Sequence, residues 1–152
     1  MPEARFRHLD EEKWQEVRAQ DHGGRRVSVR EKWLEFTPGC MTLYAEWDPG
    51  MIVHKHGHNS DHIIFVIDGE MLCGDFKCTK GQHIFLEQGE ALGPYTAGSE
   101  GVKLFEVMIG DPRSWPADPE GFKKLLAERG AVQLPNPPID MPDWIEDTRS
   151  EH

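Results

Sequence analysis

The chain is predicted to be all-β, a sandwich or barrel of short strands. Two observations carry that prediction: apolar stretches of strand length recur through the middle of the chain, and turns containing glycine separate them. A third bounds it: 152 residues with 38% hydrophobic content suffice for one domain with an ordinary core. There is no internal repeat and no low-complexity segment. A single domain over 1–152 is expected, with its core in about 26–110 and a C-terminal extension over 111–152.

Residues 9–20 have the pattern of a short amphipathic helix. Asp10 would be its N-cap, Glu11 and Glu12 would sit in the first turn where the dipole favours acid, and Trp14 and Val17 would face inward. Asp21-His22-Gly23-Gly24 supplies turn chemistry to end it. From Arg26 the pattern becomes strand-like, through Val27, Val29, Trp33, Leu34 and Phe36 to a turn at Pro38-Gly39. Cys40–Trp47 is the next strand, and Asp48-Pro49-Gly50 turns out of it. Asp68-Gly69 reads as a tight turn before residues 70–73, and Gly74-Asp75 as a two-residue hairpin leading into 76–79. Residues 83–86 and 102–109 complete the series, and 111–116 read as an irregular link. Asp118 then caps a helix that starts at Pro119 and stops at Gly130. Four prolines within 134–142 make that arm extended and keep it out of a sheet centre. Trp144 and Ile145 give it an apolar anchor for its own domain or for a neighbouring subunit.

The chemistry concentrates in residues 50–69, GMIVHKHGHNSDHIIFVIDG. Four histidines, His54, His56, His58 and His62, fall within nine positions of a chain that has eight in all. His54, His56 and His58 alternate, so on a strand they share one face. The polar residues 57–61 read as a turn, and His62 heads a returning strand that continues through Ile63, Ile64, Phe65, Val66 and Ile67. Imidazoles gathered in this way suit a transition-metal ion.

The spacing of Gly50, His56, His58, His62 and Gly69 resembles the first motif of the cupins, with His62 at the position usually held by glutamate. A second cupin motif has its glycines at Gly81 and Gly89, but Glu87 stands for the usual proline, Leu92 for the usual histidine and Thr96 for the usual asparagine. The resemblance covers about residues 42–109. It implies a double-stranded β-helix, the cupin jelly roll, with a metal site facing the interior and a homodimeric assembly. It also implies that His56, His58 and His62 hold one divalent transition metal per chain, Fe, Zn, Mn or Ni, at roughly 2.0–2.2 Å from each nitrogen. Leu92 offers no ligand, which leaves coordination positions open, as catalytic rather than structural sites do. Replacing glutamate by histidine removes a negative charge, so an anionic or enolisable small organic substrate would balance the ion.

Other polar residues compete for roles. His54, His83 or Glu106 could complete the metal site. Glu106 shares a face with Leu104 and Met108; if that face is inward it is a ligand or a general base. The bulkier Phe105, Val107 and Ile109 favour the opposite choice, with Glu106 solvated. Tyr95, after Gly93-Pro94, could donate to a bound oxyanion at the barrel mouth. Three functions follow: a metal-dependent oxygenase of dioxygenase type, which is preferred; a non-redox metal-dependent lyase, cyclase or isomerase; or a non-catalytic cupin that binds a small ligand. A net charge of −10 argues against nucleic acid as partner. No apolar run of membrane-spanning length and no signal-like N-terminus is present, and three cysteines form no disulfide framework, so a cytoplasmic protein without a membrane partner is expected.

Overall fold

In the computed structural model of the chain, residues 2–145 are described. Nine strands alternate with turns: β1 Gln15–His22, β2 Arg25–Thr37, β3 Cys40–Trp47, β4 Ile52–Val53, β5 His56–Cys73, β6 Phe76–Cys78, β7 His83–Leu86, β8 Tyr95–Pro116 and β9 Ala131–Gln133. A single α-helix, α1 Pro119–Arg129, lies between β8 and β9. All pairings are antiparallel, in the order β6-β5-β8-β3-β2-β1-β9, with β4 on β8 and β7 on β5. Bulges bend the long strands, as register shifts in β5, β2 and β1 record. The sheet thereby curls round one core as a jelly roll.

The period-2 pattern builds that core directly. Along β3 burial alternates without exception, so Met41, Leu43, Ala45 and Trp47 face inward. Opposite them on β8 stand Met108, Glu106, Leu104 and Val102, one inward partner for each. Every one of these eight residues is at most 9% exposed. The partners on β8 are therefore even-numbered, and Glu106 comes inside with them.

Four expectations fail. The helix over 9–20 is a three-residue 3-10 turn, Leu9–Glu11, followed by β1. Tertiary pairing overrides a weak helical preference there: β1 takes its backbone partners from β2, and the Glu16 carboxylate accepts from Arg26 Nε at 3.0 Å and from Ser28 Oγ at 2.5 Å on the outer face. Asp68-Gly69 is not a turn. The backbone runs through it in β5, with a bulge on either side and Gly69 at φ 74°. The supposed turn at 57–61 is likewise part of β5, so His56, His58 and His62 stand on one strand and not on two. Residues 111–116 are not an irregular link but the end of β8, paired with His56–His58 through His56↔Pro116, Gly57↔Trp115 and His58↔Ser114.

The remaining elements match. Helix α1 is capped by the Asp118 carboxylate, which accepts from Gly121 N at 3.0 Å, and Gly130 closes it at φ 65°. The proline arm makes contacts within the chain: Asp140 N donates to Gln15 Oε1 at 3.1 Å, and Trp144 Nε1 donates to Glu12 Oε2 at 2.9 Å. Among the described residues no helix is long and apolar enough to cross a membrane.

Gly57 shows how tightly β5 is seated. A Cβ there would collide with the Glu90 carbonyl and with the Trp115 ring. Gly57→Ala should therefore lower the unfolding free energy by about 1–3 kcal/mol in urea titrations, the usual penalty of overpacking. Gly39→Ala is the control: nothing lies within 4 Å of its Cβ position, and its stability should not fall.

Candidate functional site

The curled sheet encloses an open-mouthed cavity of about 210 Å³. From β5 it receives His56, His58 and His62, whose even numbering carries them to the inner face beside buried Ile64. Their rings form a chain: the centroids of His56 and His58 are 5.1 Å apart, and those of His58 and His62 are 4.7 Å apart. Tyr95, Glu106, Glu31 and Arg18 complete the polar lining. Met41, Leu43 and Leu104 are among the apolar walls.

Hydrogen bonds orient two of the three imidazoles. His56 Nδ1 lies 2.7 Å from the His54 carbonyl, and His58 Nδ1 lies 2.7 Å from the Pro112 carbonyl. A carbonyl only accepts, so each Nδ1 carries the proton and each Nε2 keeps a free lone pair. Burial pushes the His56 pKa down to about 3 and lowers that of His58, which holds both rings neutral. A backbone-anchored neutral imidazole is the usual form of a histidine metal ligand. His62 differs: its Nε2 sits 2.9 Å from Glu106 Oε1, within hydrogen-bonding distance of that carboxyl rather than of a backbone carbonyl.

As the side chains stand, no three His, Cys, Asp or Glu residues among those described are arranged to hold a metal ion. The donor set nonetheless fits one in kind. Two neutral nitrogens are already presented, and the third is committed to Glu106, so opening that single hydrogen bond would free it.

The other candidates are placed as follows. Glu106 is inside the cavity, against the expectation that it would be solvated, because the β3 register carries Leu104, Glu106 and Met108 inward together. Tyr95 is 3% exposed, edge-on to Trp47 and 5.7 Å from the His56 ring; burial raises its pKa well above the ordinary phenol value. It is thus a wall residue with a protonated hydroxyl rather than one at an exposed rim. His54 stacks on His56 at 4.6 Å and also packs against Phe122 of α1, outside the cavity lining. His83 is exposed, paired with Phe65 on the outer side of β5. Leu92, in the place of the absent second-motif histidine, exchanges backbone hydrogen bonds with His56 at 3.1 Å in each direction.

Glu31 and Arg18 were not foreseen. Glu31 lies in the alternation Val27, Val29, Glu31, Trp33, which by itself puts it on the inner face. Its carboxylate accepts from Trp33 Nε1 at 3.1 Å, and burial, reinforced by the nearby Glu106 charge, pushes its pKa up to about 7. Arg18 is hidden from a pattern reading by the bulge between Glu16 and Arg18, which brings it opposite Val29.

Solved structures share this architecture. KdgF from Halomonas sp. aligns with a TM-score of 0.57 at 22% identity, covering 72% of this chain and 95% of that one. A candidate acetylacetone dioxygenase from Methylibium petroleiphilum aligns with a TM-score of 0.64 at 14% identity, covering 80% and 85%. An RmlC-like cupin from Shewanella frigidimarina aligns with a TM-score of 0.55 at 17% identity, covering 79% and 96%. The chain has the cupin fold. No family model matches the sequence, and neither does any curated protein. The cupin likeness therefore lies in structure, and at these identities it concerns the fold alone.

Burial of neutral imidazoles makes stability pH-dependent. His56 has a folded pKa of about 3 against 6.5 unfolded, so its contribution is present above 6.5 and is lost as pH falls toward 3. Glu31 works the other way: raised from 4.5 to about 7, it contributes below 4.5 and loses that contribution as pH rises through 7. In chelator-treated protein, urea titrations between pH 7 and pH 4 should show His56→Asn losing less stability on acidification than the parent. Equal losses would mean that His56 is not held neutral.

Proposed function

We propose that the protein is a metal-dependent cupin enzyme acting on a small organic substrate, anionic or enolisable, with dioxygenase-type chemistry preferred. One observation carries the reading: His56 and His58, two residues apart on β5, have Nδ1 tied to backbone carbonyls and neutral rings lining one cavity with His62. His56, His58 and His62 would hold the metal through Nε2. A divalent ion held there would supply Lewis-acid chemistry toward a carbonyl or enolate oxygen.

The chain's own groups supply the rest. Met41, Leu43 and Leu104 give the cavity an apolar wall against which the carbon skeleton of a substrate packs. Glu106 Oε1, once released from His62, holds a proton or accepts one from the substrate within the cavity. Tyr95 stays a donor. The oxygenase preference is supported by the three-histidine resemblance and by the structural likeness to the candidate acetylacetone dioxygenase. The non-redox alternative, a lyase, cyclase or isomerase, is favoured by Glu106, a buried proton-transfer group already hydrogen bonded among the histidines.

Elemental analysis of protein purified without chelator should find about one transition-metal ion per chain. His58→Ala should lower metal affinity by about tenfold or more, since even the loss of a ligand's supporting hydrogen bond costs that much. Metal-free parent protein, or a variant that loads as fully as the parent, would contradict the proposal. Oxygen uptake with small 1,3-diketones and phenolic acids then separates the two enzyme classes.

A further inference from the structure

Among the charged side chains of the cavity, Arg18 is without a partner. Its guanidinium makes no hydrogen bond or ion pair among the described residues, although it lines the same cavity as the three histidines. The strand register explains why it is there. Arg18 pairs with Val29 across β1 and β2, and directly opposed residues of an antiparallel pair lie on the same side of the sheet. Val29 and Glu31 both line the cavity, so the bulge before Arg18 aims it inward as well. The three arginines of β2 behave differently: Arg25 donates to the Pro49 carbonyl, while Arg26 is forked onto Glu16 and Arg30 onto Asp48 toward the outer face.

The carboxylate that faces Arg18 does not satisfy it. Glu31 accepts its hydrogen bond from Trp33 Nε1, and it influences Arg18 only as a nearby charge. With Glu31 pushed up to about 7, that charge is incomplete near neutral pH. Burial lowers the Arg18 pKa from its ordinary value, yet an arginine keeps its proton throughout the working range. A second donor in the lining is also unmet: Trp47 has a buried indole N–H without an acceptor among the described residues. A half-buried cation and an unused buried N–H in one cavity are costly unless something brought in from solution completes them.

We propose that Arg18 is the specificity-determining anchor for a carboxylate group on the ligand, which it grips while the rest of the molecule extends toward His56, His58 and His62. The planar fork of a guanidinium matches a carboxylate in two parallel hydrogen bonds. A dianionic phosphate would meet Glu31 and Glu106 in the same space, so a monoanion is the better match. Size sets a further limit: about 210 Å³ is somewhat more than the roughly 150 Å³ that admits benzene. The ligand class is thus a small carboxylic acid of about that bulk. The inference rests on this cavity being the ligand site, as the proposed function requires, but not on the metal.

The test compares acids with their uncharged amides by isothermal titration on the full chain, with and without chelator. Acetate, pyruvate and benzoate are set against acetamide, pyruvamide and benzamide, with inorganic phosphate alongside. At least one acid should bind about tenfold or more tightly than its amide in chelated protein, the usual worth of a charge-assisted pair. That preference should vanish in Arg18→Gln and shrink in Arg18→Lys, which keeps the charge but not the fork. Both variants should melt cooperatively and load metal as the parent does. No acid preferred over its amide, a preference that survives in Arg18→Gln, or phosphate binding more tightly than every carboxylate would each overturn the assignment. A carboxylate preference in a chain that takes up no metal would sink the enzyme proposal and leave Arg18 standing. Full metal loading without any carboxylate preference would do the reverse.

Discussion

The pairing of β5 with β8 is the constraint on which the rest of the structure depends. Eighteen residues of one strand run beside twenty-two of the other, and bulges turn both around the core. Because side chains alternate, one shift of register would move every inward group of β5 to the outside. The register in place puts His58, His62 and Ile64 in the interior and Phe65 and Ile67 on the outside. It also sets His62 opposite Met108, one alternation from Glu106, which is how a strand-borne histidine and a carboxylate 44 residues away come within 2.9 Å. The Pro112 carbonyl that orients His58 belongs to the same pairing, at the bend between His58 and Asn59.

The interior so formed is unusual for a core. Three imidazoles, two carboxylates and a guanidinium share a cavity walled by methionine and leucine side chains. Burying polar groups is unfavourable unless each is hydrogen bonded, and here the bonds are only partly made. His56 and His58 have backbone partners on one nitrogen and none on the other, His62 and Glu106 have each other, and Arg18 has none among the described residues. A core selected for stability alone would be filled with apolar side chains of like volume. Incomplete satisfaction concentrated in one concave place is the mark of a site that a ligand or ion completes.

Much of this was legible in the sequence. The spacing of His56, His58 and His62 between Gly50 and Gly69 points to one interior face, and Cys40–Trp47, the Gly74-Asp75 hairpin and the Asp118 to Gly130 helix are where turn and cap chemistry puts them. What failed shares a cause. Bulges inside long strands imitate turns to a pattern reading, because both carry glycine and polar residues; that is why Asp68-Gly69 and residues 57–61 read as breaks. The bulge at Arg18 similarly disturbs the alternation of β1, and without alternation the segment reads as a helix. Glu106 was misjudged for another reason. The bulk of Phe105, Val107 and Ile109 argues for burial, yet the partner strand β3 decides the face, and Ile109 is left 56% exposed. Glu31 is legible in the alternation from Val27 to Trp33, which puts it on the inner face.

The claim that joins these parts is that the interior histidines of β5 converge on one cation when the bond between His62 and Glu106 opens. Anomalous diffraction from crystals grown with cobalt or zinc tests it most directly. The expected result is a single peak bonded at about 2.0–2.2 Å to Nε2 of His56, His58 and His62. A peak confined to surface residues, or none with the His62 to Glu106 bond intact in metal-replete crystals, would contradict it.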